Sequence, residues 1–183
     1  MQSAADIRHR AARVNLMVFD VDGVLTDGRL HYGPDGELFK SFHVHDGHGL
    51  KLLREAGVAI GLISGRTSAA VEQRARDLRI EHIALGVQDK PAVLDTMMST
   101  VGATTATTGF MGDDWVDLAV MRRVGFAATV PNAANRMREH AHWVATRAGG
   151  EGAVRELAEF LLDARGVLQS AFEAHLSSGM AQG

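Results

Sequence analysis

The sequence contains no cysteine, which excludes a disulfide framework, a thiolate zinc site and a cysteine nucleophile. It has no basic excess either. Nineteen Lys and Arg against 22 Asp and Glu leave a formal charge of −3, so no overall positive field draws nucleic acid to the chain. No apolar run approaches the roughly 18 residues that suggest a membrane span. The opening MQSAADIRHRAARVN (1–15) lacks the apolar segment of a signal peptide. Internal repeats, low-complexity tracts and interdomain linkers are also missing. What remains is a chain of 183 residues, 46% hydrophobic and 22% charged. That composition is ordinary for a globular protein, and the length suffices for one domain over 1–183 with a buried core. The expectation is a soluble, cytoplasmic protein with neither a membrane nor a nucleic-acid partner.

Five short apolar or β-branched runs recur: VNLMVFDV (14–21), VAIGLIS (58–64), HIALG (82–86), TGFMG (108–112) and FAATV (126–130). Helical spacing lies between them: Val71, Ala75 and Leu78; Val93, Leu94, Met97, Met98 and Val101; Leu157, Phe160 and Leu161. Strands alternating with helices predict crossover units and a parallel sheet. Continuously apolar strands predict a sheet covered on both faces. The fold class is therefore α/β, a doubly wound parallel sheet. Residues 28–44 break the rhythm: Gly33-Pro34-Asp35-Gly36 between alternating stretches is a β-hairpin signal, placed directly after the first strand. The ends, about 1–12 and 166–183, read as helical or frayed tails.

The chemistry concentrates where strands end. VFDVDGVLTDG (18–28) sets Asp20 and Asp22 at the end of the first strong strand, and GDDWVD (112–117) follows TGFM in the same way. In an open parallel sheet, ligands bind outside the carboxyl ends of the strands where the winding reverses. Two such loops bring Asp20, Asp22 and Asp113 together, a cluster that is unfavourable unless a hard cation neutralises it. Magnesium, which prefers a few carboxylates plus water and phosphate oxygens, suits that set. Ser64-Gly65-Arg66 ends a strand and reads as opening a helix, where a hydroxyl and backbone N–H groups suit a phosphate. Lys90 opens another helix, and its ammonium balances phosphoryl charge. Carboxylate nucleophile, second carboxylate, metal, serine and lysine form a phosphoryl-transfer set.

DVDGVLT, ISGR, a lone lysine opening a helix and GDDxxDL occur in this order, each at a strand end. Together they resemble the four motifs of the haloacid dehalogenase superfamily of phosphohydrolases. The resemblance implies a Rossmann-like fold with Asp20 as the nucleophile that forms an aspartyl phosphate. It implies Asp22 as the acid that protonates the leaving alkoxide and then the base that activates water. Asp113 would complete the magnesium site with Asp20 and the Asp22 carbonyl. Ser64 and Lys90 would orient the phosphate, with Gly65 and Arg66 beside them, and Asp114 and Asp117 would hold Lys90 or metal waters.

Only 44 positions separate Asp20 from Ser64, and the Lys90–Asp113 interval holds one helix and one strand. Neither leaves room for a separate cap domain. Residues 27–53, 120–133 and 148–162 resemble one capless family, the 3-deoxy-D-manno-octulosonate 8-phosphate phosphatases. That resemblance implies a sugar-phosphate substrate and a homotetramer with central hairpins, each site covered by a neighbour. FHVHDGHG (42–49) departs from the family's usual FxVRDGxG by placing His45 where arginine is common. A histidine cannot clamp a sugar carboxylate bidentately as arginine does. His45 is kept as a substrate-binding candidate, and nine-carbon ulosonate 9-phosphates remain the alternative substrates. Strand alternation would place His43 and His45 on one face, but no tetrahedral zinc set follows, and the carboxylates already account for a metal. Two other readings stand against these. A nucleic-acid phosphatase would show basic residues near the site. A phospho-receiver would carry its acceptor aspartate on a later strand, where Gly86 stands.

Overall fold

The computed structural model describes residues 3–180. Residues 1–2 and 181–183, the extreme ends of the two expected tails, lie outside the described residues. The elements in chain order are α1 (Ala4–Ala12), β1 (Leu16–Phe19), β2 (His31–Gly33), β3 (Gly36–Phe39), α2 (Val44–Glu55), β4 (Ala59–Ile63), α3 (Ala69–Leu78), β5 (His82–Ala84) and α4 (Lys90–Val101). Then follow β6 (Thr108–Met111), α5 (Leu118–Met121), β7 (Phe126–Thr129), β8 (Trp143–Val144), α6 (Ala153–Ala164) and α7 (Leu168–Met180). Among the described residues, no helix is long and apolar enough to cross a membrane.

Six strands form one parallel sheet in the order β5-β4-β1-β6-β7-β8. The chain leaves β1 toward β4 and β5, then returns to build β6, β7 and β8 on the other side, so the winding reverses beside β1. β1 is buried at all four positions, and alternation divides it between two cores. Met17 and Phe19 join the core built with α1, α2, α3 and α6, while Leu16 and Val18 join the one built with α4 and α5. The five apolar runs read from the sequence all form strands, each trimmed by one to four residues.

Helix α2 corrects the strand reading of His43 and His45. His43 precedes the helix as its N-cap, and His45 lies in its first turn. Tertiary packing decides this. Asp46, 1% exposed, accepts the backbone N–H of Arg155 at 2.8 Å. It thereby caps α6, whose own N-cap, Gly152, has no side chain to do so. A second correction concerns Ser64: α3 begins at Ala69 with Ser68 as its cap, so Ser64 directly follows β4, ahead of a bend at Gly65 and Arg66, rather than standing at the helix N-terminus. The hairpin pairs β2 with β3 and stops at Phe39.

The loop ahead of α6 lies against the Asp20–Asp22 loop. Gly150 donates its N–H to the Val24 carbonyl at 3.0 Å, and a Cβ on Gly149 would collide with the Gly23 carbonyl. β8 is too short to leave a pattern in the sequence, and His142 extends it. The His142 N–H donates to the Ala127 carbonyl at 2.8 Å, while its ring Nδ1 accepts the Ala127 N–H at 2.7 Å.

Gly149→Ala is expected to lower the unfolding free energy by about 1–3 kcal/mol, the usual cost of overpacking. A urea titration with an unchanged midpoint would show that the two loops are only loosely apposed. His142 yields a pH dependence. Burial, helped by Arg10 and opposed by Asp6, holds its pKa below the ordinary 6.5. The unfolded chain then binds the extra proton first, so this contribution is complete above about 6.5 and is lost as pH falls through the folded value. Wild-type stability should fall more steeply between pH 7 and 5 than that of His142→Gln, and parallel slopes would contradict the assignment.

Candidate active site

A cleft of about 500 Å³ opens at the carboxyl ends of the sheet strands, where the winding reverses. Asp20, Asp22, Ser64, Gly65, Arg66, Lys90, Asp113 and Asp114 all line it. The loops after β1, β4 and β6 and the start of α4 therefore bring together eight of the ten residues singled out in the sequence. Asp20 continues the ladder beyond β1, donating its N–H to the Met111 carbonyl at 2.9 Å. Gly23 lets the loop turn back with φ +92°, and a Cβ there would strike the Asp113 carboxylate. That close approach is what allows Asp113 to face Asp20.

Lys90 lies at the floor, 5% exposed. It donates to Asp20 Oδ1 at 2.6 Å and to Asp117 Oδ1 at 2.7 Å. Burial opposes its charge, but Asp20 and Asp117 outweigh that and raise its pKa, so it stays an ammonium. The carboxylates are pushed the other way. Burial first, then the charge of Asp117, drives Asp20 up to about 7 against the pull of Lys90. Burial with the charges of Asp20, Asp117 and Asp114 drives Asp113 up to about 7 as well. One buried ammonium does not satisfy this many acids, and a divalent cation would.

Carboxylate oxygens of Asp20, Asp113 and Asp117 lie within 4.8 Å of one another. Asp117, fully buried, has both oxygens engaged: Oδ1 by Lys90, and Oδ2 by the N–H groups of Asp113 at 3.1 Å and Asp114 at 3.3 Å. It braces the loop and Lys90, leaving Asp20 and Asp113 as the carboxylates free to take an ion. Asp114 does not touch Lys90. Its Oδ1 accepts the Trp115 N–H at 2.8 Å, capping a short 3-10 turn over 115–117. Trp115 lies exposed nearby and donates its indole N–H to the Asn135 carbonyl at 2.9 Å.

Ser64 is buried, and its hydroxyl accepts the Arg66 N–H at 3.2 Å. The Arg66 guanidinium donates to the Tyr32 hydroxyl and lies 5.8 Å from that ring's centre, tying the hairpin to the cleft. His45 is not part of this assembly. It is exposed on α2 and lines a separate cleft with Arg147, Arg155 and Glu156. Sequence reasoning missed Lys40 and Glu37. The Lys40 side chain is 1% exposed, and it pairs with Asp22 and, at 3.0 Å, with Glu37. Burial opposes its charge, but hydrogen bonds to both acids raise its pKa. The available signal was their position in GELFK, on the limb of a hairpin that starts just after the acidic motif.

No protein-family model matches the sequence. Individual proteins do. The chain is 36% identical over 168 residues to the 3-deoxy-D-manno-octulosonate 8-phosphate phosphatase KdsC of Yersinia pestis, covering 92% of this chain and 90% of that protein. It is 37% identical over 160 residues to the same enzyme of Haemophilus influenzae, covering 87% and 89%. Among solved structures, the Moraxella catarrhalis 3-deoxy-D-manno-octulosonate 8-phosphate phosphatase superposes with a TM-score of 0.91 and 35% identity. The match covers 94% of this chain and 99% of that one, and that structure holds a magnesium ion, a phosphate ion and a KDO molecule. On this likeness in sequence and structure, spanning nearly the full length of each relative, the chain belongs to the 3-deoxy-D-manno-octulosonate 8-phosphate phosphatase family of the haloacid dehalogenase superfamily.

Proposed function

We propose that the protein is a magnesium-dependent phosphomonoesterase that hydrolyses 3-deoxy-D-manno-octulosonate 8-phosphate to the free sugar acid and phosphate. The observation that carries this reading is the convergence of Asp20, Asp22, Lys90 and Asp113 on one cleft. The Moraxella relative crystallised with magnesium, phosphate and KDO supports it. Asp20 and Asp113 would hold the ion, with the Asp22 carbonyl as a third protein ligand. Magnesium would there neutralise charge on the transferring phosphoryl group.

The side chains of this chain divide the remaining work. A carboxylate oxygen of Asp20 attacks phosphorus, and the ester oxygen leaves with a proton from Asp22. Water then attacks the aspartyl phosphate, returning a proton to Asp22 and freeing Asp20. Lys90 and the Ser64 hydroxyl face the phosphoryl oxygens, with Gly65 and Arg66 at the rim. Asp117 holds Lys90 in place. The finer parts of the reading are a homotetramer, a cytoplasmic location and no nucleic-acid partner. Tyr32, Leu38, Phe39 and Val44 present apolar surface on and beside the hairpin, as a hairpin-centred assembly would need. A neighbour's surface, including its His45, would then close the open cleft. The departure from arginine at position 45 leaves a second reading, in which a nine-carbon ulosonate 9-phosphate is the substrate.

Phosphate release should be measured with magnesium on the octulosonate 8-phosphate, a nine-carbon 9-phosphate, a hexose 6-phosphate and a nucleotide. The eight-carbon ester should give the highest kcat/KM, and Asp20→Asn should lose roughly 10³-fold or more. Preference for the nine-carbon ester would transfer the assignment to the second reading. Full activity in Asp20→Asn would remove the mechanism.

A further inference from the structure

The hairpin reaches into the chemistry as well as bordering the cleft. Leu38 and Phe39 lie 64% and 50% exposed, yet the next residue, Lys40, turns inward until its side chain is 1% exposed. Its ammonium contacts the Asp22 carboxylate on one side and Glu37 at 3.0 Å on the other. Glu37 in turn accepts a hydrogen bond from the Ser68 hydroxyl. Ser68 is the cap of α3, whose other partner is the Val71 N–H at 3.4 Å. An unbroken line of polar contacts thus runs from Asp22 through the hairpin to the helix that follows the Gly65–Arg66 bend.

Asp22 borders a large open cleft, and Lys40 is its ion-pair partner there. An aspartate without such a partner would rotate among staggered positions. Proton donation requires the acid within hydrogen-bond reach of the leaving oxygen, and misplacement by about 1 Å costs on the order of 10²-fold in rate. Resting on the reading of Asp22 as the proton donor, we propose that Lys40 is a positioning residue that aims the Asp22 carboxyl at the leaving oxygen, with Glu37 and Ser68 fixing Lys40 in turn. The proton that leaves with the ester oxygen comes from Asp22 and is replaced from the attacking water. Lys40 keeps its own protons throughout.

Leaving-group dependence separates this role from a merely structural one. An alkoxide needs a proton as it departs, whereas 4-nitrophenolate does not. Lys40→Met should lower kcat/KM, which reports only the steps through departure of the leaving group, by about 10- to 100-fold on the sugar phosphate. It should change kcat/KM on 4-nitrophenyl phosphate by less than about 3-fold, and inhibition by inorganic phosphate should stay as in the wild type. Lys40→Arg, which retains a donor, should recover most of the loss. Equal losses on both esters, or no loss on either, would overturn the proposal. If Lys40→Met does not fold, Glu37→Gln provides the same readout. Its ratio of alkyl to aryl kcat/KM should fall in the same direction, and an unmoved ratio in the folded protein would overturn the proposal. A wild type that cleaves simple alkyl phosphates but not the octulosonate ester would defeat the substrate assignment alone. The Lys40 ratio would then be read on the alkyl phosphate.

Discussion

The site depends on one buried ammonium. Lys90 joins Asp20 at 2.6 Å to Asp117 at 2.7 Å, and these residues come from three separate segments: the loop after β1, the start of α4 and the 3-10 turn after β6. A lysine placed there without partners would lose its charge or its burial, and the acids without it would repel one another. Breaking a pair of this kind by removing one member typically costs about 3–5 kcal/mol, because the remaining charge stays buried. Lys90 offsets only part of the acidity. Asp113 receives no direct contact from it, and both Asp20 and Asp113 are pushed up to about 7. The acidity around Asp20 and Asp113 therefore exceeds what Lys90 offsets, which is the property a magnesium-dependent phosphoryl-transfer site requires.

The sheet makes that crowding possible. β1 is buried on both faces, so its direction and end point are fixed by two cores at once. The reversal of winding beside it leaves an open crevice at the strand ends. Into that crevice the Asp20–Asp22 loop turns sharply, with Gly23 beneath Asp113 and Gly149 against the Gly23 carbonyl. Asp46 anchors the second of these approaches from a distance, since it caps α6 just beyond the Gly149-Gly150 segment. Residues far from the cleft in sequence thus govern how closely the acids stand.

Much of this was legible in the sequence, and the reasons differ by residue. Asp20, Asp22, Ser64, Lys90 and Asp113 could be placed because each follows an apolar strand or opens a helix, and sheet geometry does the rest. The start of α3 was not legible: Ser64-Gly65-Arg66-Thr67-Ser68 offers two capping serines, and only the bend at Gly65 and Arg66 decides between them. His43 and His45 alternate as strand residues would, but the burial of Asp46 against α6 pulls the segment into a helix. Lys40 follows two exposed apolar residues, so no periodicity reveals that it turns inward to Asp22. Local patterns located the chemistry, while residues held only by tertiary contacts escaped them.

The central claim is that the acids around Lys90 bind a divalent cation, and thermal unfolding with and without magnesium tests it most directly. An ion that binds only the folded state stabilises it by about 2.7 kcal/mol at a hundredfold excess over Kd, or roughly 5–10 °C for a chain of this size. The account predicts a rise of that order for the wild type and little or none for Asp113→Asn. An unmoved wild-type Tm at millimolar magnesium, or an equal rise in Asp113→Asn, would contradict it.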